Sequence, residues 1–287
     1  MNLDSIRDEA LRMAEPQFKQ FEPIALHNTK KVLEAFKECQ LSDYHFNGSS
    51  GYGYNDSGRE KLDEVFAHVF KAEKALVRAH FVSGTHALAT TLIALLGSGK
   101  QGKEFVYAVG APYDTMQSVI GVPHPVRNSL VERGFIYKEV PLKDNTYDLD
   151  GIAEAVTENT RVVVIQRSRG YSTREPLSVT DIEKICKVVK AKNPETICFV
   201  DNCYGEFTEM SEPLEHGADI MAGSLIKNAG GGIAPTGGYV AGKESLVEDV
   251  AYELTAPGLG DHMVPIRRAI ACSSKAYSWH LMLCCRP

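Results

Sequence analysis

The stretch "GSLIKNAGGGIAPTGGYVAG" (223–242) sets one lysine, Lys227, in the least charged and most glycine-rich part of a 287-residue chain. No carboxylate lies inside that window. A lysine so placed is either a surface side chain that snorkels its head into water or an amine meant to be used. In an apolar, glycine-lined pocket, lost hydration lowers the pKa and frees the amine to attack a carbonyl. The apolar run "ADIMAGS" (218–224) just ahead of it reads as a strand, which puts the lysine beyond a strand end.

Upstream, "KEFVYAVG" (103–110), "RVVVIQ" (161–166) and "TICFVD" (196–201) are further short β-rich runs, and "SVTDIEKICKVVKAK" (178–192) is a capped helix between two of them. Strands alternating with helices predict an α/β fold with a mostly parallel sheet and helices on both faces. Ligands of such sheets gather beyond the carboxyl ends of the strands. Residues 3–40 read as two helices, the first stopped by Pro23, and 59–77 reads as one helix through Leu62, Val65, Phe66, Val69 and Phe70. The Gly/Ser/Tyr-rich loop 44–58 is long enough to suggest a function. These patterns divide the chain into a helical arm (1–45), a large domain (46–262) and an irregular tail (263–287).

Composition narrows the classes. Apolar residues make up 44% and charged residues 24%, as in ordinary globular proteins, and the net charge is −6. Neither a basic stripe nor an apolar run near the roughly 18 residues of a membrane span is present, so no nucleic-acid or membrane partner is expected. The seven cysteines are odd in number and lack paired spacing, and the first residues read as a charged amphipathic helix. A reducing cytoplasm without disulfides, and no zinc site, is the expectation.

Three more motifs frame Lys227. In "FVSGTHALATTLIALLGSG" (81–99) a strand end is expected to run through Ser83, Gly84 and Thr85 into a helix, whose first N–H groups either cradle an anion or are simply capped. In "TICFVDNCYGEF" (196–207) Asp201 follows a strand, where a carboxylate holds a ring N–H or a metal, or caps a turn. In "GAPYDTMQSVIG" (110–121) Tyr113 is placed either to pack or to stack on a planar ligand. Ser224 can add a hydroxyl to the anion at 83–85. Taken together they describe pyridoxal 5′-phosphate: phosphate on a helix start, ring on Tyr113, ring nitrogen on Asp201, aldehyde on Lys227.

The order of motifs resembles the fold-type-I pyridoxal-phosphate enzymes, and among them the cystathionine β-lyase and methionine γ-lyase group. "VDNCY" resembles that group's VDNTY, with Cys203 in place of Thr, and "SLIK" its S-x-T-K motif, with Ile226 in place of Thr. "SGTHAL", "GAPYDT", "IQRSRGY", "VDNCYGEF" and "SLIKNAGGGIAPTGGYVAG" resemble more narrowly the family named for aluminium resistance, over about residues 1–262. The resemblance implies a carbon–sulfur lyase acting on a sulfur-containing amino acid, with Lys227 and Tyr113 as catalytic residues. Ser83, Gly84, Thr85, Tyr113, Asp201, Ser224 and Lys227 would bind the cofactor. It further implies a homotetramer built as a dimer of dimers, in which Tyr54, with Tyr52 and Arg59 beside it, reaches a neighbouring subunit's phosphate. Arg167, Arg169 and Tyr171 are either active-site groups or solvated loop residues. Transamination, retro-aldol cleavage or plain metal handling are the rival functions. For the last, Glu206, Glu209, Glu212 and Glu215 recur every three residues, as a solvated face also does.

The family also implies a small C-terminal domain that supplies an arginine for the substrate carboxylate. Residues 263–287 do not resemble it. Read one base out of frame, the Trp279–His280 junction requires Ala, and the neighbouring junctions permit a sequence resembling the family's continuation. A frame slip near Met263, with impaired turnover of the resulting chain, is the expectation.

Overall fold

The computed structural model describes residues 2–47, 49, 52–97 and 103–263. The tail reading thus falls, from residue 264 onward, outside the described residues. Among the described residues there are seven α-helices, α1 (Leu3–Glu38), α2 (Ser57–Phe70), α3 (Gly84–Gly97), α4 (Asp114–Ile120), α5 (Leu149–Ala155), α6 (Val179–Lys192) and α7 (Glu244–Leu254). Seven strands, β1 (Lys74–Arg78), β2 (Glu104–Tyr107), β3 (Ile136–Glu139), β4 (Thr160–Gln166), β5 (Ile197–Asp201), β6 (Ile220–Ser224) and β7 (Gly238–Gly242), form one sheet in the order β1-β7-β6-β5-β4-β2-β3. β7 runs antiparallel to both its neighbours, and the other pairings are parallel.

The alternation within the central strands explains the layers. Val163 and Ile165 of β4, with Cys198 and Val200 of β5, face a core closed by α2, α5, α6 and the end of α1. Val162, Val164, Ile197 and Phe199 face the opposite core, closed by α3, α4 and α7. Strands buried on both faces carry no polar alternation, which is why they read as continuous apolar runs. The chain moves outward from β2 to β3, then returns past β2 to place β4 on its other side. The ends of β2 and β4 therefore flank a switch point, the crevice where ligands of such sheets bind.

Two expected elements differ. Residues 3–38 form one helix, with Pro16 and Pro23 inside it, instead of two helices broken at Pro23. A proline removes one backbone donor, and along this exposed half of α1 water can take the carbonyl left over. The helix expected over 59–77 ends at Phe70, where Lys71 adopts φ 55°, and "KALV" becomes β1 paired to β7. The left-handed cap at a lysine, in place of the usual glycine, hid that boundary.

The end of α1 does more than fill the core. The Asn28 amide nitrogen donates to the Phe207 and Glu209 carbonyls at 3.1 and 2.9 Å, fastening the helix to the loop beyond β5. At α6 the Ser178 hydroxyl accepts from Asp181 N–H, and the Asp181 carboxylate accepts from Ser178 N–H at 3.2 Å, a closed capping box. Burial works against the Asp181 carboxylate. The Ser178 hydroxyl, the Tyr147 hydroxyl and the Lys184 ammonium outweigh it and hold the group down at about 2. Because the folded value lies below the ordinary 3.8, the contribution is complete above 3.8 and is lost as pH falls through about 2. Asp181→Asn should lower the melting temperature at pH 6, and the gap to the parent should narrow towards pH 2; a constant gap in melting scans across that range overturns the assignment.

Candidate functional site

Three strand ends, of β2, β5 and β6, and two helix starts, of α3 and α4, converge at the crevice. β5 ends on Asp201, buried to 4% exposure, and β6 pairs with it in parallel so that Asp201 lies opposite Ala222. Ser224 closes β6, and Lys227 follows three residues on, half-buried at the head of a short 3-10 turn. Tyr113 stands after β2 as the residue capping α4, and Gly84 opens α3.

Close packing joins these pieces. A Cβ built on Gly84 would lie 2.8 Å from the Ser224 Cβ and 3.6 Å from the Cys203 Sγ, so the start of α3 abuts β6 and the turn after β5. The Thr85 hydroxyl lies 3.5 Å from the Tyr113 hydroxyl and 3.0 Å from that of Thr115. The Ser83 hydroxyl accepts from His86 N–H at 3.1 Å, the capping role. The N–H groups of Gly84 and Thr85 belong to the first turn, which has no internal acceptors for them. The Ser224 hydroxyl, against the same turn, accepts from Ile226 N–H at 3.3 Å.

The charges follow from burial. Burial raises the Asp201 carboxyl, while the Cys203 N–H at 3.1 Å, its thiol and the Lys227 ammonium pull the other way without cancelling it. For Lys227 the outcome is the reverse of the sequence expectation. Burial does push the ammonium down, but Cys203, Asp201 and Tyr204 together leave it raised. The carboxylate missing from the 223–242 window is supplied by Asp201, from another strand. Burial and then Asp201 push the Tyr113 phenol well up, which keeps it a neutral hydroxyl.

Tyr204 was not singled out by the sequence. The Lys227 Nζ lies 4.1 Å from the centroid of its ring. Its φ of 67° is left-handed, a conformation costing a non-glycine residue about 1 kcal/mol. The Asn228 amide, next to Lys227, donates to its carbonyl at 3.1 Å. Tyr204 also lines a cavity of about 580 Å³ with Arg169, Gly170, Leu177 and Gly205. The glycine at 205 gave the sequence no hint that the residue before it would carry the positive φ.

The remaining candidates separate. Arg167 is fully buried and structural, donating to the Asn202 side chain and Gly205 carbonyl at 2.8 Å and to Glu209 at 2.7 Å. Tyr171 is 91% exposed, and Arg169 stands at the cavity. Arg59 is buried, donating to the Gly53 carbonyl at 2.9 Å, and so pins the loop instead of reaching outward. Tyr54 is exposed on that loop, its hydroxyl 3.6 Å from the Met263 sulfur. Among the described residues no contact brings Tyr54 to Lys227. The solvated-face reading of the glutamates is overturned for two of the four. Glu206 and Glu212 are buried, the first taking the Tyr239 hydroxyl at 2.9 Å and the second the Phe207 N–H at 2.9 Å. Burial, with Glu212 and Asp201 nearby, pushes Glu206 up to about 8.

Gly84→Ala should cost about 1–3 kcal/mol, because its methyl meets a β-carbon that a strand holds in place. Adding Ser224→Gly should recover most of the lost melting temperature; no recovery in the double variant removes this contact as the reason for the glycine.

The methionine gamma-lyase family profile matches residues 3–267. The chain is 45% identical over 244 residues to the Bacillus subtilis protein YnbB, covering 84% of this chain and 57% of that protein. It thus spans little more than half the length of that relative. The crystal structure of a carbon-sulfur lyase involved in aluminum resistance from Clostridium novyi superposes with a TM-score of 0.91 at 42% identity, over 96% of this chain and 66% of that one. A Listeria monocytogenes structure, also described as involved in aluminum resistance, gives 0.93 at 42% identity, over 99% and 71%. With its profile matching nearly the whole chain and such relatives beside it, the chain belongs to the methionine gamma-lyase family.

Proposed function

We propose that the protein binds pyridoxal 5′-phosphate through Lys227 and cleaves the carbon–sulfur bond of a sulfur-containing amino acid. The observation that carries this is the convergence of the Lys227 amine, the buried Asp201 carboxylate and the Gly84–Ser224 contact at one strand-end crevice. The donor set suits the cofactor: N–H groups and a hydroxyl for a phosphate, an aromatic ring for a flat face, a carboxylate for a pyridinium, and an amine for an aldehyde. When bound, the cofactor supplies an electron-withdrawing ring that weakens the substrate's Cα–H bond.

Each residue then has a task. The N–H groups of Gly84 and Thr85, with the Ser224 hydroxyl, hold the phosphate, and Ser83 keeps the turn capped. Tyr113 would offer its ring to the cofactor's flat face, and the Asp201 carboxylate would hold a proton on the ring nitrogen. With the cofactor in place, the Lys227 amine would take the substrate's Cα proton and return it later. The fixed distance between β5 and β6 holds acceptor and base in one geometry. A homo-oligomer, a dimer of dimers, would bring the exposed Tyr54 of one subunit to the phosphate of another. Tyr52, two residues before it, is also exposed. Among the described residues no helix is long and apolar enough to cross a membrane, which fits a cytoplasmic enzyme.

The visible absorption of the protein with pyridoxal phosphate, before and after borohydride, tests the reading. The parent should hold the cofactor covalently on Lys227, found by mass spectrometry, and Lys227→Ala should hold none. Asp201→Asn should weaken retention or turnover at least about 10-fold. Release of ammonia and an α-keto acid from sulfur amino acids marks elimination, whereas transfer of the amino group to a second keto acid marks the transaminase alternative. Undiminished cofactor capture in Lys227→Ala defeats the proposal.

A further inference from the structure

Tyr204 has no task in that chemistry, yet the fold takes trouble over its position. Its backbone is left-handed, its carbonyl is held by the residue after Lys227, and its ring lies beneath the Lys227 Nζ at 4.1 Å. A strained residue held by its surroundings at a site is a pointer to function. The face of an aromatic ring attracts a cation, more strongly where water is partly excluded. Lys227 is half-buried there, and the same ring borders the cavity of about 580 Å³.

We propose that Tyr204 is a positioning residue: its ring holds the free Lys227 ammonium whenever the amine is not covalently engaged, and so sets the pH at which that amine becomes reactive. The inference rests on Lys227 being the cofactor lysine. It adds where the amine waits and what keeps it protonated there. Other groups face it too. Asp201 and Cys203 come from the end of β5, and Tyr113, from the start of α4, faces Asp201. Behind Cys203, Gly84 at the start of α3 packs against Ser224 and the Cys203 sulfur. Asp201 therefore retains some hold on the ammonium when the ring is removed, and the expected effect is a shift in titration and not its loss. The ring and not the phenol oxygen is the agent, because the attraction comes from the π face.

Competitive labelling of the cofactor-free chain with acetic anhydride, from about pH 7 to 11, reads this directly, since only the unprotonated amine reacts. The Lys227 peptide is followed by mass spectrometry against the exposed lysines of the same chain. Tyr204→Phe should superpose on the parent. Tyr204→Ala should move the Lys227 profile to lower pH, raising its reactivity at pH 8 about 3- to 10-fold. Tyr204→Leu fills the space without a π face and should follow Ala, which covers the case in which the Ala variant folds poorly. An unmoved profile in both Ala and Leu overturns the proposal, as does Phe moving as far as they do. Borohydride capture of pyridoxal phosphate on Lys227 is measured separately on the parent. Failure there, with the labelling order intact, sinks the proposed function and with it the positioning role, leaving only the ring's hold on the ammonium; the reverse pattern sinks the positioning role alone.

Discussion

A carboxylate stripped of water at the tip of β5 governs the rest of the site. Asp201 is nearly sealed, and in such a place a charge persists only with donors and an opposite charge close by. The donor is the backbone two residues on, and the opposite charge arrives from the next strand, because β5 and β6 are paired in a register that sets Asp201 beside Ala222. A one-residue slip would turn every side chain of β6 to the other face and carry Ser224 and the Lys227 turn away. Sheet pairing and site electrostatics are thus the same constraint seen at two scales.

Much of this was legible in the residues. The four apolar runs became β2, β4, β5 and β6 because strands covered on both faces carry an unmistakable composition. That α6 is a capped helix was readable for another reason, since capping chemistry is local. What escaped notice depends on partners far away. β1 is an edge strand paired only to β7, Lys74 opposite Gly242, and β7 is held between β1 and β6; neither run is apolar enough to declare itself alone. The glutamates at 206 and 212 look like a solvated row until Tyr239, Asn202 and Arg167 close around them.

The glycines of 223–242 were read as the lining of a pocket, and their packing tells a different story. A Cβ on Gly223 would lie 2.6 Å from the Glu206 carboxylate, and one on Gly230 would lie 1.5 Å from the Leu225 carbonyl oxygen. These residues are small so that the turn carrying Lys227 can fold back tightly on β6. The amine is accordingly less stripped of polar company than the composition suggests. Its ammonium is held above the ordinary lysine value by Cys203, Asp201 and Tyr204, against the pull of burial.

The clasp between α1 and the loop past β5 bears on how the chain is made. Asn28 and its Phe207 partner are separated by 179 residues. On a ribosome adding about 5–20 residues per second, α1 emerges some 10–40 s before its acceptors exist. In that interval Val32 and Ala35, which the finished core covers, face water or a chaperone. The clasp on α1 therefore closes late, and in nascent chains this helix should stay protease-sensitive until residues 207–209 have left the exit tunnel.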